Sequence, residues 1–118
     1  MIYLYIAKIQ ITDIVLNKTN YKYVLEEQPL VIDTFIREDK DTGMKEYIET
    51  AIIIEKIYPN NIRCVFCSSI DASIMAENNN IIEVKEFTPF KLKVKKNYKM
   101  DILNKQYSLT VLDVNMNR

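Results

Sequence analysis

The fold depends on how residues 35–48 are interpreted, because this stretch reads FIREDKDTGMKEYI and contains the only glycine of the chain. When it is folded back at that glycine, Glu38 faces Lys45 and Arg37 faces Glu46, and two apolar pairs follow. Opposite charges and apolar side chains that face one another stabilise neighbouring antiparallel strands. We therefore predict a β-hairpin here.

A helix over residues 44–57 is the alternative, since Met44, Tyr47 and Ile48 recur at helical spacing. Against it stands the run of three isoleucines at residues 52–54, whose branching at Cβ favours a strand. The corresponding alternative fold class is α+β.

The rest of the chain shows short alternating runs of β-branched and aromatic residues, which predict a mainly β fold. A phase change at Ala7–Lys8 indicates a bulge in the first strand. One short helix is expected over residues 70–77, capped by Ser68 or Ser69. Consecutive strands over residues 81–87, 90–95, 98–103 and 106–114 predict a C-terminal meander. We expect an antiparallel barrel or sandwich with at most one or two short helices.

Composition places the chain in the ordinary globular class, with 118 residues, 48% of them hydrophobic and 27% charged. This length predicts one domain over residues 1–118. No apolar run is long enough for a signal sequence or a membrane span, so we expect a cytoplasmic protein with no membrane partner. The abundance of Ile, Lys, Asn and Tyr is typical of AT-rich coding, which suggests a low-GC bacterium, its phage or another mobile element.

Charge is divided unevenly along the chain, although the formal net charge is zero. Residues 1–84 carry 8 basic and 13 acidic side chains, whereas residues 85–118 carry 8 basic and 3 acidic ones. Oppositely charged surfaces can meet in a symmetric interface, and a sheet protein also has strand edges that can pair. We therefore expect a homo-oligomer, most simply a dimer.

Two short motifs resemble parts of metal sites, but each is better explained by its position on a strand or in a turn. Cys64 and Cys67 lie on a predicted strand, where residues three apart point to opposite faces and cannot hold one metal. Asp39, Asp41 and Gly43 are spaced like the start of a calcium loop, but the closing glutamate is missing and a hairpin turn explains them. We expect no metal and no other cofactor.

No catalytic constellation is evident, and the chain has no histidine, which is the commonest general base. Sixteen acidic side chains always offer carboxylate pairs, so a small enzyme with an unrecognised carboxylate site stays as an alternative. The expectation is a protein without enzymatic activity.

The one concentrated feature is a lysine face in the C-terminal third, where Phe90, Leu92 and Val94 alternate with lysines. Such a strand buries its apolar side and exposes its lysines. Lysines with nearby tyrosines suit an anionic ligand or single-stranded nucleic acid, although edge lysines also protect sheets from aggregation. The candidate ligand- or partner-binding residues are Arg63, Lys91, Lys93, Lys95, Lys96, Tyr98, Lys99, Tyr107 and Arg118.

These observations predict a non-enzymatic binding or assembly module, with a phage or mobile element as its source. The alternative is an inhibitor or sponge that captures a nucleotide, a signalling molecule or nucleic acid from a host defence system. Both would act by stoichiometric binding, with a protein partner or an anionic ligand, whereas an enzyme would show turnover.

Overall fold

The structure is a computed structural model that describes residues 4–117. Ten strands follow one another, and a three-residue 3-10 turn at Glu77–Asn79 is the only helical segment in the described range. The strands are β1 (Leu4–Asp13), β2 (Lys18–Val24), β3 (Pro29–Glu38), β4 (Lys45–Ile57), β5 (Asn61–Cys67), β6 (Ala72–Met75), β7 (Ile81–Val84), β8 (Pro89–Lys93), β9 (Asn97–Ile102) and β10 (Lys105–Asn117).

These strands form two antiparallel sheets that pack face to face. One sheet has six strands in the order β2-β1-β10-β9-β6-β7, and the other has four in the order β3-β4-β5-β8. Their inner faces enclose one cluster of buried apolar side chains, to which alternate residues of each strand contribute. In β5, for example, Ile62, Cys64 and Phe66 are fully buried. The mainly β prediction is confirmed, and the architecture is a sandwich of open sheets rather than a closed barrel.

The hairpin predicted from residues 35–48 is present in the predicted register. Glu38 pairs with Lys45 and Arg37 with Glu46, and the Arg37 guanidinium lies 2.9 Å from the Glu46 carboxylate. Thirteen residues of β4 are extended, so the helix alternative over residues 44–57 is wrong. The three isoleucines at residues 52–54 explain this outcome. They lie in a sheet whose inner face is buried, with Ile52 and Ile54, and whose outer face is partly covered, with Ile53.

The helix predicted over residues 70–77 is wrong, because this segment contains strand β6. Ala72 and Ile74 are buried with the two-residue period of a strand, and β6 pairs with both β7 and β9. The Ser68 hydroxyl does accept a hydrogen bond from the backbone nitrogen of Ile70, at 3.1 Å, but in a turn that leads into the strand.

The C-terminal meander is also not formed as predicted. Strand β7 pairs with β6, whereas β8 crosses to the smaller sheet and pairs with β5. Of the four strands β7 to β10, only β9 and β10 pair with each other as predicted. The crossing occurs at a tight turn in which Lys85 and Thr88 bond each other and Phe87 has a φ of 65°. After a four-residue turn the next strand can pair with the preceding one or cross to the other sheet. Here β8 crosses, and this buries Phe90 and Leu92 in the core.

The predicted bulge at Ala7–Lys8 is displaced to the neighbouring strand. Lys8 pairs with Asp113, whereas the next residue, Ile9, pairs with Val111, so the extra residue lies on β10. Strand β1 therefore keeps one phase, with Ala7 and Ile9 both buried.

Among residues 4–117, no helix is long and apolar enough to cross a membrane.

Candidate functional site

The lysine face lies on β8, which is an edge strand of the four-stranded sheet. Phe90 and Leu92 are buried in the core, and Lys91 and Lys93 are exposed on the outer side. The alternation predicted from the sequence is confirmed over this strand. It follows from the two-residue period of a strand with one buried face.

Two of these lysines line a cleft of about 660 Å³ at one end of the sandwich. Three segments meet there: the turn between β4 and β5, the turn between β6 and β7, and β8 with the residues that follow it. We call this the asparagine–lysine cleft. Its lining residues are Asn60, Asn61, Ala76, Asn78, Asn80, Lys91, Lys93, Val94, Lys96 and Tyr98.

Backbone hydrogen bonds hold the three segments in place. Asn60 accepts a bond from the backbone nitrogen of Val94 at 3.0 Å, which fixes the β4–β5 turn against the end of β8. In the β6–β7 turn the backbone nitrogen of Ala76 donates to the backbone carbonyl of Asn80, and Asn78 has a φ of 64°. Asparagine adopts this left-handed conformation more readily than most residues, which explains its use there.

The cleft is polar, and its amides are only partly engaged with each other. The Asn61 side chain donates from Nδ2 to Oδ1 of Asn60 at 2.7 Å. Within the described part of the chain, Oδ1 of Asn61 is buried and has no hydrogen-bond partner. A buried acceptor of this kind is uncommon in folded proteins and calls for an explanation.

Tyr98 and Tyr107, the two tyrosines among the predicted binding residues, are only 5% and 2% exposed, so they present little ring surface to a ligand. Tyr98 lines the cleft, and its hydroxyl accepts a hydrogen bond from the backbone nitrogen of Lys93 at 3.0 Å. Tyr107 lies elsewhere, and its hydroxyl donates to a carboxylate oxygen of Asp33. Both rings are packed in the core between the sheets.

The other candidates do not line the cleft. Lys95 lies in the turn after β8 with a φ of 67°, and its backbone nitrogen donates to Val111. Lys99 is on the outer face of the six-stranded sheet, across from Ser108. Arg63 is exposed on the smaller sheet, 3.5 Å from a carboxylate oxygen of Glu55. Arg118 lies outside the described residues.

Sequence reasoning missed the four asparagines of the cleft, because it treated both asparagine-rich segments only as turns. The sequence does show that asparagines are concentrated in these two loops, in a chain with one glycine, and this concentration could have indicated them. It also missed Tyr21 and Tyr23 on β2, whose rings are exposed on the outer face of the six-stranded sheet.

A second polar cluster joins the two sheets at Asp33. Burial alone would raise the pKa of Asp33, but hydrogen bonds from Tyr107 and from the backbone of Thr34, with the charge of Lys105, lower it overall. Burial raises the pKa of Tyr107, and the hydrogen bond to Asp33 and its negative charge raise it further. Both groups are thereby moved away from neutral pH, where general acids and bases work best.

The two cysteines lie on opposite faces of β5, as predicted. Cys64 is buried and Cys67 is half-buried on the outer side. Burial raises the pKa of the Cys64 thiol, and the nearby charge of Glu55 adds to this effect. Among the described residues, no group of three or more His, Cys, Asp or Glu side chains has the geometry of a metal site.

Comparisons with protein-family models, curated proteins and solved structures give no match.

Proposed function

We propose that the protein is a non-enzymatic binding module that takes an anionic ligand in the asparagine–lysine cleft. The observation that carries this proposal is the meeting of Lys91, Lys93 and Lys96 around one cleft that asparagine amides complete. Ammonium groups favour phosphate or carboxylate, and amides can bond the polar remainder of a ligand. The volume, about 660 Å³, lies within the range of small-molecule sites.

The absence of turnover is part of the proposal. The chain has no histidine, and the carboxylate and phenol of the Asp33 cluster are both shifted away from neutral pH. A module of this kind suits the alternative role of an inhibitor or sponge, encoded by a phage or mobile element, that captures a nucleotide or signalling molecule from its host. Release of the unaltered ligand distinguishes this role from that of an enzyme.

The test uses inorganic pyrophosphate and adenosine diphosphate as probes, in calorimetric titrations at low and high salt. We expect one site per chain, with an affinity that falls as salt rises. The variant Lys91→Glu with Lys93→Glu should weaken binding at least about tenfold, because it reverses two charges at the cleft. Phosphorus NMR after long incubation should show both probes unchanged.

The matched control is Lys40→Glu with Lys99→Glu, which makes the same charge change at exposed positions outside the cleft. This control should bind both probes almost as the unmodified protein does. Both double variants should keep nearly the same thermal midpoint, since exposed lysines contribute little to folding. Equal weakening by the two variants, or no binding by the unmodified protein, would refute the site, and product formation would point to an enzyme.

Self-association is a second candidate function, favoured by the exposed outer face of the β3–β4 hairpin. Strand β5 pairs with β4 only as far as Ala51, so the hairpin continues beyond it as a two-stranded arm. Ile36 and Tyr47 face each other on the outer side of this arm and are mostly exposed. An exposed apolar pair on a projecting arm suits contact with a second copy of the chain.

Light scattering over a range of protein concentrations tests this second candidate. We expect a dimer that Ile36→Lys with Tyr47→Lys converts to a monomer without loss of fold. A monomer at every concentration in the unmodified protein would exclude self-association as the function.

A further inference from the structure

The edge strand β2 reads KTNYKYV over Lys18–Val24, with two lysines in one phase of the strand and two tyrosines in the other. Tyr21 and Tyr23 point to the outer face of the six-stranded sheet and are 56% and 64% exposed. The two-residue period of a strand places them about 7 Å apart on that face. β2 therefore presents two neighbouring aromatic rings to solvent at the edge of the sheet.

Lys8 of the neighbouring strand orients both rings. It pairs directly with Tyr23, and its ammonium nitrogen lies 5.4 Å from the ring centroid of Tyr21 and 5.6 Å from that of Tyr23. Cations within about 6 Å of a ring centroid are attracted to the ring face. This contact occupies one side of each ring, and the exposed fractions of the two residues show that the remainder stays accessible.

Further lysines lie on the other side of the same strand. Lys18 and Lys22 alternate with the tyrosines and are exposed because β2 is the edge of its sheet. The two aromatic rings, with the Lys8 ammonium, thus lie on one side of this edge, and the ammonium groups of Lys18 and Lys22 lie on the other. Sequence reasoning expected this combination around Tyr98 and Tyr107, whose rings are buried, and the structure contains it at β2.

We propose that the β2 edge binds single-stranded nucleic acid. Two successive bases stack on Tyr21 and Tyr23, and the backbone follows the edge past Lys18 and Lys22. Base stacking on aromatic side chains with cations along the backbone is the general mode of binding without sequence preference. The ring spacing suits an extended single strand, in which successive bases lie a comparable distance apart.

Stacking contributes more than charge at this edge. Lys8 and Lys18 each have an aspartate as cross-strand partner, Asp113 and Asp13 respectively. Only about one to two phosphates are then neutralised, so the logarithm of the affinity should fall against the logarithm of salt with a slope of about −0.7 to −1.4.

The experiment measures the fluorescence anisotropy of a fluorescein-labelled oligothymidylate of about ten nucleotides, titrated with the full chain. Tyr21→Ala and Tyr23→Ala should each weaken binding at least about fivefold, which is the lower end of the loss for one stacked base. Phe87→Ala is the matched control, because Phe87 is 69% exposed but lies in the turn after β7, at the opposite edge of the sheet from β2. Circular dichroism should show the same fold for all three variants.

A second readout is the intrinsic emission of tyrosine, which no tryptophan obscures in this chain. Unlabelled oligothymidylate should quench it, and Tyr21→Leu with Tyr23→Leu should remove most of the quenching while keeping apolar side chains on the strand. Binding that survives these changes but is lost in Lys91→Glu with Lys93→Glu would place the nucleic acid in the asparagine–lysine cleft. That result, or no binding at millimolar oligonucleotide, would overturn the proposal for β2, and neither depends on whether pyrophosphate binds the cleft.

Discussion

Tyr107 on β10 donates a hydrogen bond from its hydroxyl to a carboxylate oxygen of Asp33 on β3. The ammonium nitrogen of Lys105 lies 3.4 Å from the same carboxylate. At the opposite edge of the smaller sheet, Tyr98 on β9 accepts a bond from the backbone nitrogen of Lys93 on β8. Each edge strand of the four-stranded sheet is therefore tied to the six-stranded sheet by a buried tyrosine.

The tie at Asp33 should make stability depend on acid pH. Because the folded-state pKa of Asp33 is lowered from 3.8, its contribution is complete above the unfolded pKa and is lost as pH falls through the folded value. We expect Asp33→Asn to cost about 1 kcal/mol at pH 7 and progressively less below pH 4. Thermal melts from pH 7 to pH 2 measure this difference.

Asp101→Asn is the matched control for Asp33, since Asp101 is exposed on the outer face of β9. It should change the midpoint much less at neutral pH. A constant difference between Asp33→Asn and the unmodified protein at all pH values would contradict a role for the Asp33 charge.

The tie at Tyr98 couples the core to the asparagine–lysine cleft. Tyr98→Phe removes the acceptor of the Lys93 backbone nitrogen and should cost about 1 kcal/mol, or a fall of roughly 4 °C in the thermal midpoint. The β8 edge should also loosen, so amide hydrogen exchange at Lys93 should quicken. Unchanged exchange would show that this bond does not restrain β8.

Local pairing could be predicted from the sequence wherever both partners lie close along the chain. The register of Arg37 with Glu46 follows from charge, and the exposure of Lys91 follows from the two-residue period. The same rule contained the signal for Tyr98, which shares the phase of Met100 and Ile102 and so had to point inward with them. Tyr98 was predicted to be a binding residue because it is aromatic and lies near lysines. Its position in the alternating pattern predicts instead that its side chain is buried.

The failures elsewhere have two physical causes. Ile70 and Ile74 are separated by four residues, and this spacing suits one helix face and one strand face equally. The partners of β6 and β8 are distant in sequence, so no local pattern shows that β8 pairs with β5. The cleft depends on this crossing, which is why its four asparagines could not be brought together from the sequence.

The two cysteines should differ sharply in reactivity. The thiolate is the reactive form, and burial both raises the pKa of Cys64 and shields its sulfur. We expect one thiol per chain to react quickly with a disulfide reagent under native conditions and the second only after unfolding, at least about tenfold more slowly. Cys67→Ser should abolish the fast phase, and two fast thiols would contradict the burial of Cys64.

Substitutions at Gly43, in the β3–β4 turn, should show whether backbone conformation or side-chain packing requires a glycine there. Its φ is +71°, and a Cβ atom placed there would meet no atom within 4 Å, so any cost of substitution comes from the left-handed conformation alone. Gly43→Ala should therefore lower the free energy of unfolding by about 1 kcal/mol. Gly43→Asn should cost clearly less, since asparagine tolerates this region. Denaturant titration measures both, and equal losses for the two variants would show that the turn relaxes to another conformation.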